Sequence, residues 1–223
     1  MLVSSCQGPG ILNSAGNVGF MIPQSSGFER LDREVVTQNL RLRPIDVCDE
    51  RAVANVCAIF LDPATWTHLP AARPQDDIEV KAYLGGHVNS WSDYGLGWWF
   101  VSLRQSADDV VVGAGGCALT NPGVQAWNLG YRLSPSVWGH GYATELALAG
   151  IAAARAVQAD LPITARVHEC NPASWRVLDK VGLGLVWRGD SGSDDPLTIG
   201  TLRRIYADRD LDSVLLDQLR SLG

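Results

Sequence analysis

Hydrophobic positions along the chain recur with two different periods, and the switches between them outline the elements. Residues 39–44, Asn-Leu-Arg-Leu-Arg-Pro, alternate and then meet proline, which predicts a short strand at an edge or at its end. Over 49–61 the spacing lengthens to three and four, with Val53, Val56, Cys57 and Phe60 on one side and Pro63 as the stop, so a helix is expected. Residues 98–103 and 110–117 read as two strands of a hairpin joined by a polar stretch at 104–109. Trp127, Leu129, Tyr131 and Leu133 alternate with Asn128, Gly130 and Arg132, as in a strand with one packed face. Helical spacing returns with Ala143, Leu146, Ala147, Gly150, Ile151, Ala154 and Val157, and these small residues let the helix lie close to a sheet. After Pro162, Ile163, Ala165 and Val167 share one face of a strand, and Thr164, Arg166 and His168 the other. Asn171-Pro172 has the form of a helix cap followed by proline at the first helical position, with Gly182 as the stop. Strands at 183–187 and 197–206 flank a polar loop at 188–196, and 211–222 ends the chain with helical spacing.

One region resists both periods. From 63 to 97, Pro70, Pro74, Gly85 and Gly86 interrupt the pattern, and the segment is expected to be a lid or binding loop that sets substrate specificity. At most a turn or two of helix is predicted there, at 79–84.

Composition changes this picture only by exclusion. With 223 residues, 46% of them apolar, the chain suits one packed domain, placed at 29–223. Residues 1–28, rich in Gly, Ser and Asn, read as a flexible or loosely packed extension and not a signal peptide. A net charge of -6 with 18 basic residues and no dense basic block argues against a nucleic-acid partner. No apolar run reaches the roughly 18 to 20 residues of a membrane span, so no membrane partner is expected and the cytoplasm is the expected location. Five cysteines without CxxC spacing point to reduced, mostly buried thiols, with no disulfide, zinc or other metal.

The candidate chemistry sits between the strand at 126–133 and the alanine-rich helix. Ser136-Val137-Trp138-Gly139-His140-Gly141-Tyr142-Ala143-Thr144-Glu145 places small residues and backbone amides at the start of a helix, where the first N–H groups have no helical partner. Such a turn can hold a phosphate-bearing ligand without a metal or a lysine. A mononucleotide-binding α/β protein is disfavoured, because no glycine-rich turn follows the first strand and no GKS or GKT occurs.

With Leu40-Arg41-Leu42-Arg43-Pro44, Gly130-Tyr131-Arg132-Leu133, the Trp138 to Glu145 turn, and Asn171-Pro172-Ala173-Ser174 followed by Val177-Leu178 and Val181-Gly182-Leu183, the chain resembles the GCN5-related N-acetyltransferase (GNAT) superfamily. Within it, the likeness is to the ribosomal-protein alanine N-acetyltransferase-like subgroup. The resemblance covers about 39–206. It implies an α/β (α+β) fold: a mixed, strongly twisted central sheet of six to seven strands flanked by helices and opened like a V where two parallel strands splay. It also implies acetyl-CoA as co-substrate and direct transfer, in a ternary complex, to a primary amine of a small molecule or a protein N-terminus. By position, amides around Trp138, Gly139, His140, Gly141, Tyr142, Ala143 and Thr144 would hold the pyrophosphate. The strand through Tyr131, Arg132 and Leu133 would bond the pantetheine, and Asn171 and Ser174 would lie near its arm and thiol end.

Two departures stand out. The family turn usually begins with Arg or Gln, where this chain has Trp138, and the tyrosine many relatives use as general acid after the asparagine is absent, the chain having Trp175 and no Tyr before Tyr206. Ser174 is the remaining hydroxyl for the leaving thiolate. A backbone N–H around Tyr131 to Leu133 would serve the oxyanion. For the proton of the acceptor ammonium, His87, Asp93 and Glu79 in the 63–97 region and His168 and Glu169 at a strand end are the candidates. The low basic content of that region suits a cationic amine. A catalytically silent acyl-CoA-binding sensor or structural module is the alternative function, and the oligomeric state is open between monomer and homodimer.

Overall fold

Alternation gives way to helical spacing wherever a cap is available, and the computed structural model, which describes residues 34–190 and 200–222, follows that logic. The extension expected at 1–28, Cys6, and 191–199 within the expected polar loop and last strand lie outside the described residues. The strands are β1 (Val35–Val36), β2 (Leu40–Pro44), β3 (Trp99–Leu103), β4 (Val111–Ala118), β5 (Trp127–Leu133), β6 (Ile163–His168), β7 (Gly184–Asp190) and β8 (Leu202–Ala207). The helices are α1 (Glu50–Leu61), α2 (Asp77–Tyr94), α3 (Tyr142–Gln158), α4 (Pro172–Lys180) and α5 (Ser213–Ser221).

Among the described residues one sheet holds eight strands in the order β1-β2-β3-β4-β5-β6-β8-β7. That is one more than the six to seven expected: the extra is β1, whose two residues are too few to show a period. Every pairing is antiparallel except β5 with β6. Those two pair only at Trp127↔Ile163 and Asn128↔Thr164, although β5 continues to Leu133 and β6 to His168. Beyond Asn128 they splay, and the mixed, twisted sheet flanked by helices opens as a V.

Each face of the sheet carries its own core. On one, α3 packs through Leu146, Ala147, Ile151 and Ala154 onto Trp99, Cys117, Trp127 and Leu129. It lies close enough that a Cβ on Gly150 would come within 3.3 Å of the Cys117 backbone nitrogen. On the other face, α1 and α2 bury Val53, Val56, Phe60, Val80 and Leu84 against Trp98, Phe100, Ala114 and Ala118. Helix α5 adds a smaller cluster of Leu219 with Ile205, Val124 and Ala126.

The largest correction concerns 63–97. Instead of a long binding loop, the region forms two short 3-10 turns, Pro63–Trp66 and Pro70–Ala72, and then the 18-residue helix α2. Asp76 starts α2 by accepting from the N–H groups of Ile78 and Glu79, and Gly95 ends it in the left-handed region at φ 74°. Gly85 and Gly86 sit inside the helix, where burial of Val80, Leu84, His87 and Ser90 outweighs their poor propensity. The cysteine expectation is met only in part: Cys57 and Cys117 are buried, whereas Cys48 and Cys170 are exposed in connecting segments. Among the described residues no helix is long and apolar enough to cross a membrane, and no cluster could hold a metal ion.

Candidate active site

Backbone polarity defines the first wall of the V. Trp127 N–H donates to the Pro162 carbonyl on the β6 side, and Ser134 N–H to the Val112 carbonyl on the β4 side. Since strand residues alternate, Leu129, Tyr131 and Leu133 turn their N–H and C=O groups toward the splayed β6 side, into the opening. Arg132 instead turns its backbone to Ala114 on β4, so its place in the site belongs to its side chain and not to its amide.

At the wide end of β5 the chain enters a 3-10 turn, Pro135–Val137, and then α3. Gly139 and Gly141 have φ of 81° and 82°, a region in which L side chains are strained. No side chain caps α3. The N–H groups of Gly139, His140, Gly141, Tyr142 and Ala143 make no hydrogen bond among the described residues, whereas Thr144 and Glu145 N–H already donate to the Gly141 carbonyl. Thr144 therefore drops out of the expected set of amide donors, and five consecutive donors remain at the positive end of a 17-residue helix. A Cβ at Gly139 or Gly141 would meet nothing within 4 Å, so the turn faces open space.

Side chains brace this turn from behind. The Trp138 indole N–H donates to the Leu133 carbonyl at 2.9 Å, fixing the half-exposed ring at the end of the opening. His140 Nδ1 lies 2.8 Å from the Trp138 carbonyl, and its exposed ring stacks on Tyr142. Glu145 accepts from Thr37 Oγ1, Asn39 N–H and Asn39 Nδ2 at 2.5, 2.7 and 2.9 Å, tying the β1–β2 turn to the first turn of α3. Burial pushes its carboxyl up, but these donors outweigh it and hold it below its ordinary value.

Across the opening, Asn171 Oδ1 accepts from Ser174 N–H at 3.2 Å, the cap that starts α4. Ser174 Oγ lies 3.2 Å from the Tyr131 hydroxyl, which also donates to the Ser174 carbonyl at 3.3 Å. A phenol absent from α4 thus reaches the α4 end from β5. Burial pushes the Tyr131 hydroxyl up to about 12, so it holds its proton at neutral pH. At the sequence level Tyr131 was a candidate through its backbone, for the pantetheine and the oxyanion, and not through its phenol, whose partner lies 43 residues away.

The other wall is made of side chains. Trp66, held by a 2.6 Å bond from its indole N–H to the Phe60 carbonyl, carries the Arg132 guanidinium 3.5 Å over its ring. Arg132 also donates to the Thr65 carbonyl. His68 stacks on Trp66 at 6.3 Å, and its carbonyl accepts from Cys170 Sγ at 3.0 Å. Burial first, then Arg132 and His168, lower the His68 imidazole to about 4, which places it among residues of both β5 and β6. No sequence signal singled it out.

The base candidates separate by environment. His87 is 2% exposed, stacked on Trp98 at 4.2 Å and edge-on to Tyr83, with Nδ1 unpartnered among the described residues and the imidazole pushed down to about 3 by burial. It is a core histidine. Glu169 is clamped by Arg204 through two 2.6 Å bonds and by Arg188 at 3.0 Å, which hold its carboxyl down at about 2. Glu79 and Asp93 are exposed on α2, and Glu79 accepts from Gln75 N–H. His168 is half-buried, has a buried Nδ1 with no partner among the described residues, and is lowered by burial and by Arg203.

A sheet split between two parallel strands, with unpartnered amides at the helix following the first, defines a recognisable class. The chain belongs to the acetyltransferase (GNAT) domain family, whose match runs over residues 39–184. Among solved structures it is similar to an acetyltransferase from Agrobacterium tumefaciens, at 19% identity and a TM-score of 0.62, covering 88% of this chain and 99% of that one. A ribosomal-protein-S5-alanine acetyltransferase from Vibrio fischeri is similar at 17% identity, 79% and 96% coverage and a TM-score of 0.62. RimL, a ribosomal alpha-N-protein acetyltransferase solved in complex with coenzyme A, follows at 18% identity, 79% and 98% coverage and a TM-score of 0.60. At these identities the likeness is one of fold. No curated protein matches the chain.

Proposed function

We propose that the protein is an N-acetyltransferase that moves the acetyl group of acetyl-CoA to a primary amine, on a small molecule or a protein N-terminus, by direct attack in a ternary complex. The observation that carries this reading is the run of five unpartnered N–H groups from Gly139 to Ala143, opening onto the gap between β5 and β6. These amides suit the pyrophosphate of the co-substrate. The inward N–H groups of Leu129, Tyr131 and Leu133 suit the pantetheine and, nearest the splay point, the oxygen that becomes negative during attack. The likeness to ribosomal-protein acetyltransferases supports a protein N-terminus among the acceptors.

Two further roles follow from the side chains. His168, kept neutral by burial at the splayed end of β6, accepts the proton of the acceptor amine. The Tyr131 and Ser174 hydroxyls, 3.2 Å apart across the opening, donate to the departing thiolate, in place of the general-acid tyrosine that is absent after Asn171. Calorimetry with acetyl-CoA, paired with thiol release over a panel of amines, tests the whole. Binding together with amine-dependent release is expected. Binding without release in any amine would leave the sensor reading standing, and no binding would remove both.

A further inference from the structure

The acceptor wall contains a cation without a counter-charge. Arg132 is half-buried on β5, yet among the described residues it forms no ion pair, while Arg41, Arg43, Arg155, Arg188, Arg204, Arg209 and Arg220 each do. Its protein contacts are one carbonyl, that of Thr65, and the faces of Trp66 at 3.5 Å and Phe60 at 5.4 Å. A guanidinium carries five N–H donors in a planar fork, so most of them remain unused. Burial costs a cation solvation that a ring face and a single carbonyl only partly return, and it lowers this guanidinium to about 10, still charged at neutral pH.

Position gives that charge a purpose. Arg132 lies between Tyr131 and Leu133, whose backbone groups face the opening, and the titratable groups that act on it include His68 and Tyr83 and, among the described residues, no carboxylate. Its platform is rigid: the Trp66 indole is bonded to Phe60, and Thr65 Oγ1 to the carbonyls of Ile59 and Asp62. In a chain of net charge -6, a fixed and unneutralised cation beside the site is an anion receptor in waiting.

We infer that Arg132 selects the acceptor: the preferred amine carries a carboxylate close to its amino group, taken by the free edge of the Arg132 fork while the amine faces the thioester. This rests on the acetyltransferase reading above and refines its substrate class. It adds an anionic group to the cationic amine expected from the low basic content of 63–97, because a cation comes from the strand and not from that region. The same charge disfavours an ammonium nearby and so helps the amine to reach its neutral, nucleophilic form.

Two acceptor pairs that differ only in charge test this with acetyl-CoA: alanine against alaninamide, and the peptide amide Ala-Glu against Ala-Gln. The first pair asks whether the carboxylate belongs to an amino acid, the second whether it belongs to a peptide side chain. In at least one pair the wild type is expected to favour the acidic member in kcat/KM by about tenfold to a hundredfold, the range of a charge-assisted hydrogen bond. In Arg132→Met that ratio falls toward one while acetyl-CoA affinity by calorimetry stays within about twofold, the backbone of Arg132 being turned to β4. Arg132→Lys, which keeps the charge but not the fork, gives an intermediate ratio and stands in if the methionine variant does not fold. Turnover without charge preference in either pair, or a preference that survives Arg132→Met, overturns the inference alone. Acetyl-CoA binding with no turnover of any amine overturns the activity, and the inference with it. A parallel loss of acetyl-CoA affinity would assign Arg132 to the co-substrate and overturn it as well.

Discussion

The two walls of the V are built from different materials. The proposed cofactor wall is one continuous stretch, from Leu129 to Ala143, and it would act through main-chain groups whose direction follows from strand alternation and helix geometry. The acceptor wall gathers side chains from the end of α1, the Pro63–Trp66 turn, α2, β5 and β6. Backbone donors serve any ligand with the right phosphate, so the first wall tolerates changes of side chain but not of conformation. The second has the opposite character: its selectivity lies in a few side chains on a rigid frame.

The sharpest way to break this contrast is to remove one acceptor-side group. His168→Gln keeps a polar side chain of similar reach but not the imidazole, and general-base assistance is worth about a hundredfold or more. We expect kcat to fall by about a hundredfold with acetyl-CoA affinity nearly unchanged. Because burial and Arg203 lower the imidazole from 6.5, the acid limb of the wild-type pH profile is expected below pH 6.5 and is expected to be lost in the variant. An unchanged profile in His168→Gln would return the role to another group. Glu169 is not a candidate for that role, since Arg204 and Arg188 hold it ionised far below neutral pH.

On the cofactor side the corresponding change is conformational. Gly141→Val puts a β-branched residue at φ 82°, where strain is about 1–3 kcal/mol. The turn relaxes, its amides lose their common aim, and recovering that aim on binding costs the same amount, so acetyl-CoA affinity should drop about fivefold to 150-fold. His140→Ala, at an exposed side chain of the same turn, should change it less than twofold. Equal losses in the two variants would show that the wall acts through side chains after all.

Legibility in the sequence follows the same division. Strands β2, β5 and β6 and helices α1, α3 and α4 were readable from a packed face recurring at the period of the element, whereas β3 and β4, buried on both faces, were readable as apolar runs on either side of a polar stretch. The conformation of the turn at Gly139 and Gly141 was readable because glycine placement reports backbone conformation directly. Helix α2 was not, because the adjacent pair Gly85-Gly86 interrupts its middle with poor helix formers. Yet Asp76, with Glu79 three residues on and Gly95 at the far end, carried the start and stop signals. The Tyr131–Ser174 contact and the Trp66–Arg132 stack join residues tens of positions apart, and no local pattern announces such pairs. The exposed Cys48 and Cys170 show the limit of reading burial from apolar neighbours alone.

Smaller effects refine the frame on which both walls rest. Asn171→Ala removes the α4 cap and should cost about 1 kcal/mol, or about 2–4 °C in Tm for a chain of this size. If Asn171 is only a cap, acetyl-CoA affinity should change little; a loss beyond about tenfold would place its side chain on the pantetheine.

The last prediction concerns stability alone and separates the two histidines. The folded state lowers His87 from 6.5 to about 3, so below pH 6.5 the unfolded chain takes up a proton that the folded chain refuses. Stability is therefore intact above pH 6.5 and is lost as pH falls toward 3, by up to about 1.4 kcal/mol per pH unit from this group. His87→Leu also removes a buried Nδ1 that nothing among the described residues satisfies, so at pH 7 it should be neutral to slightly stabilising while flattening the acid side of the stability curve. Denaturant midpoints at pH 7, 5.5 and 4.5 measure both. If His87→Leu instead left the acid slope intact and abolished acetyl transfer at pH 7, the imidazole would be reaching the acceptor, and the wall behind Trp98 would be part of the site and not the core beneath it.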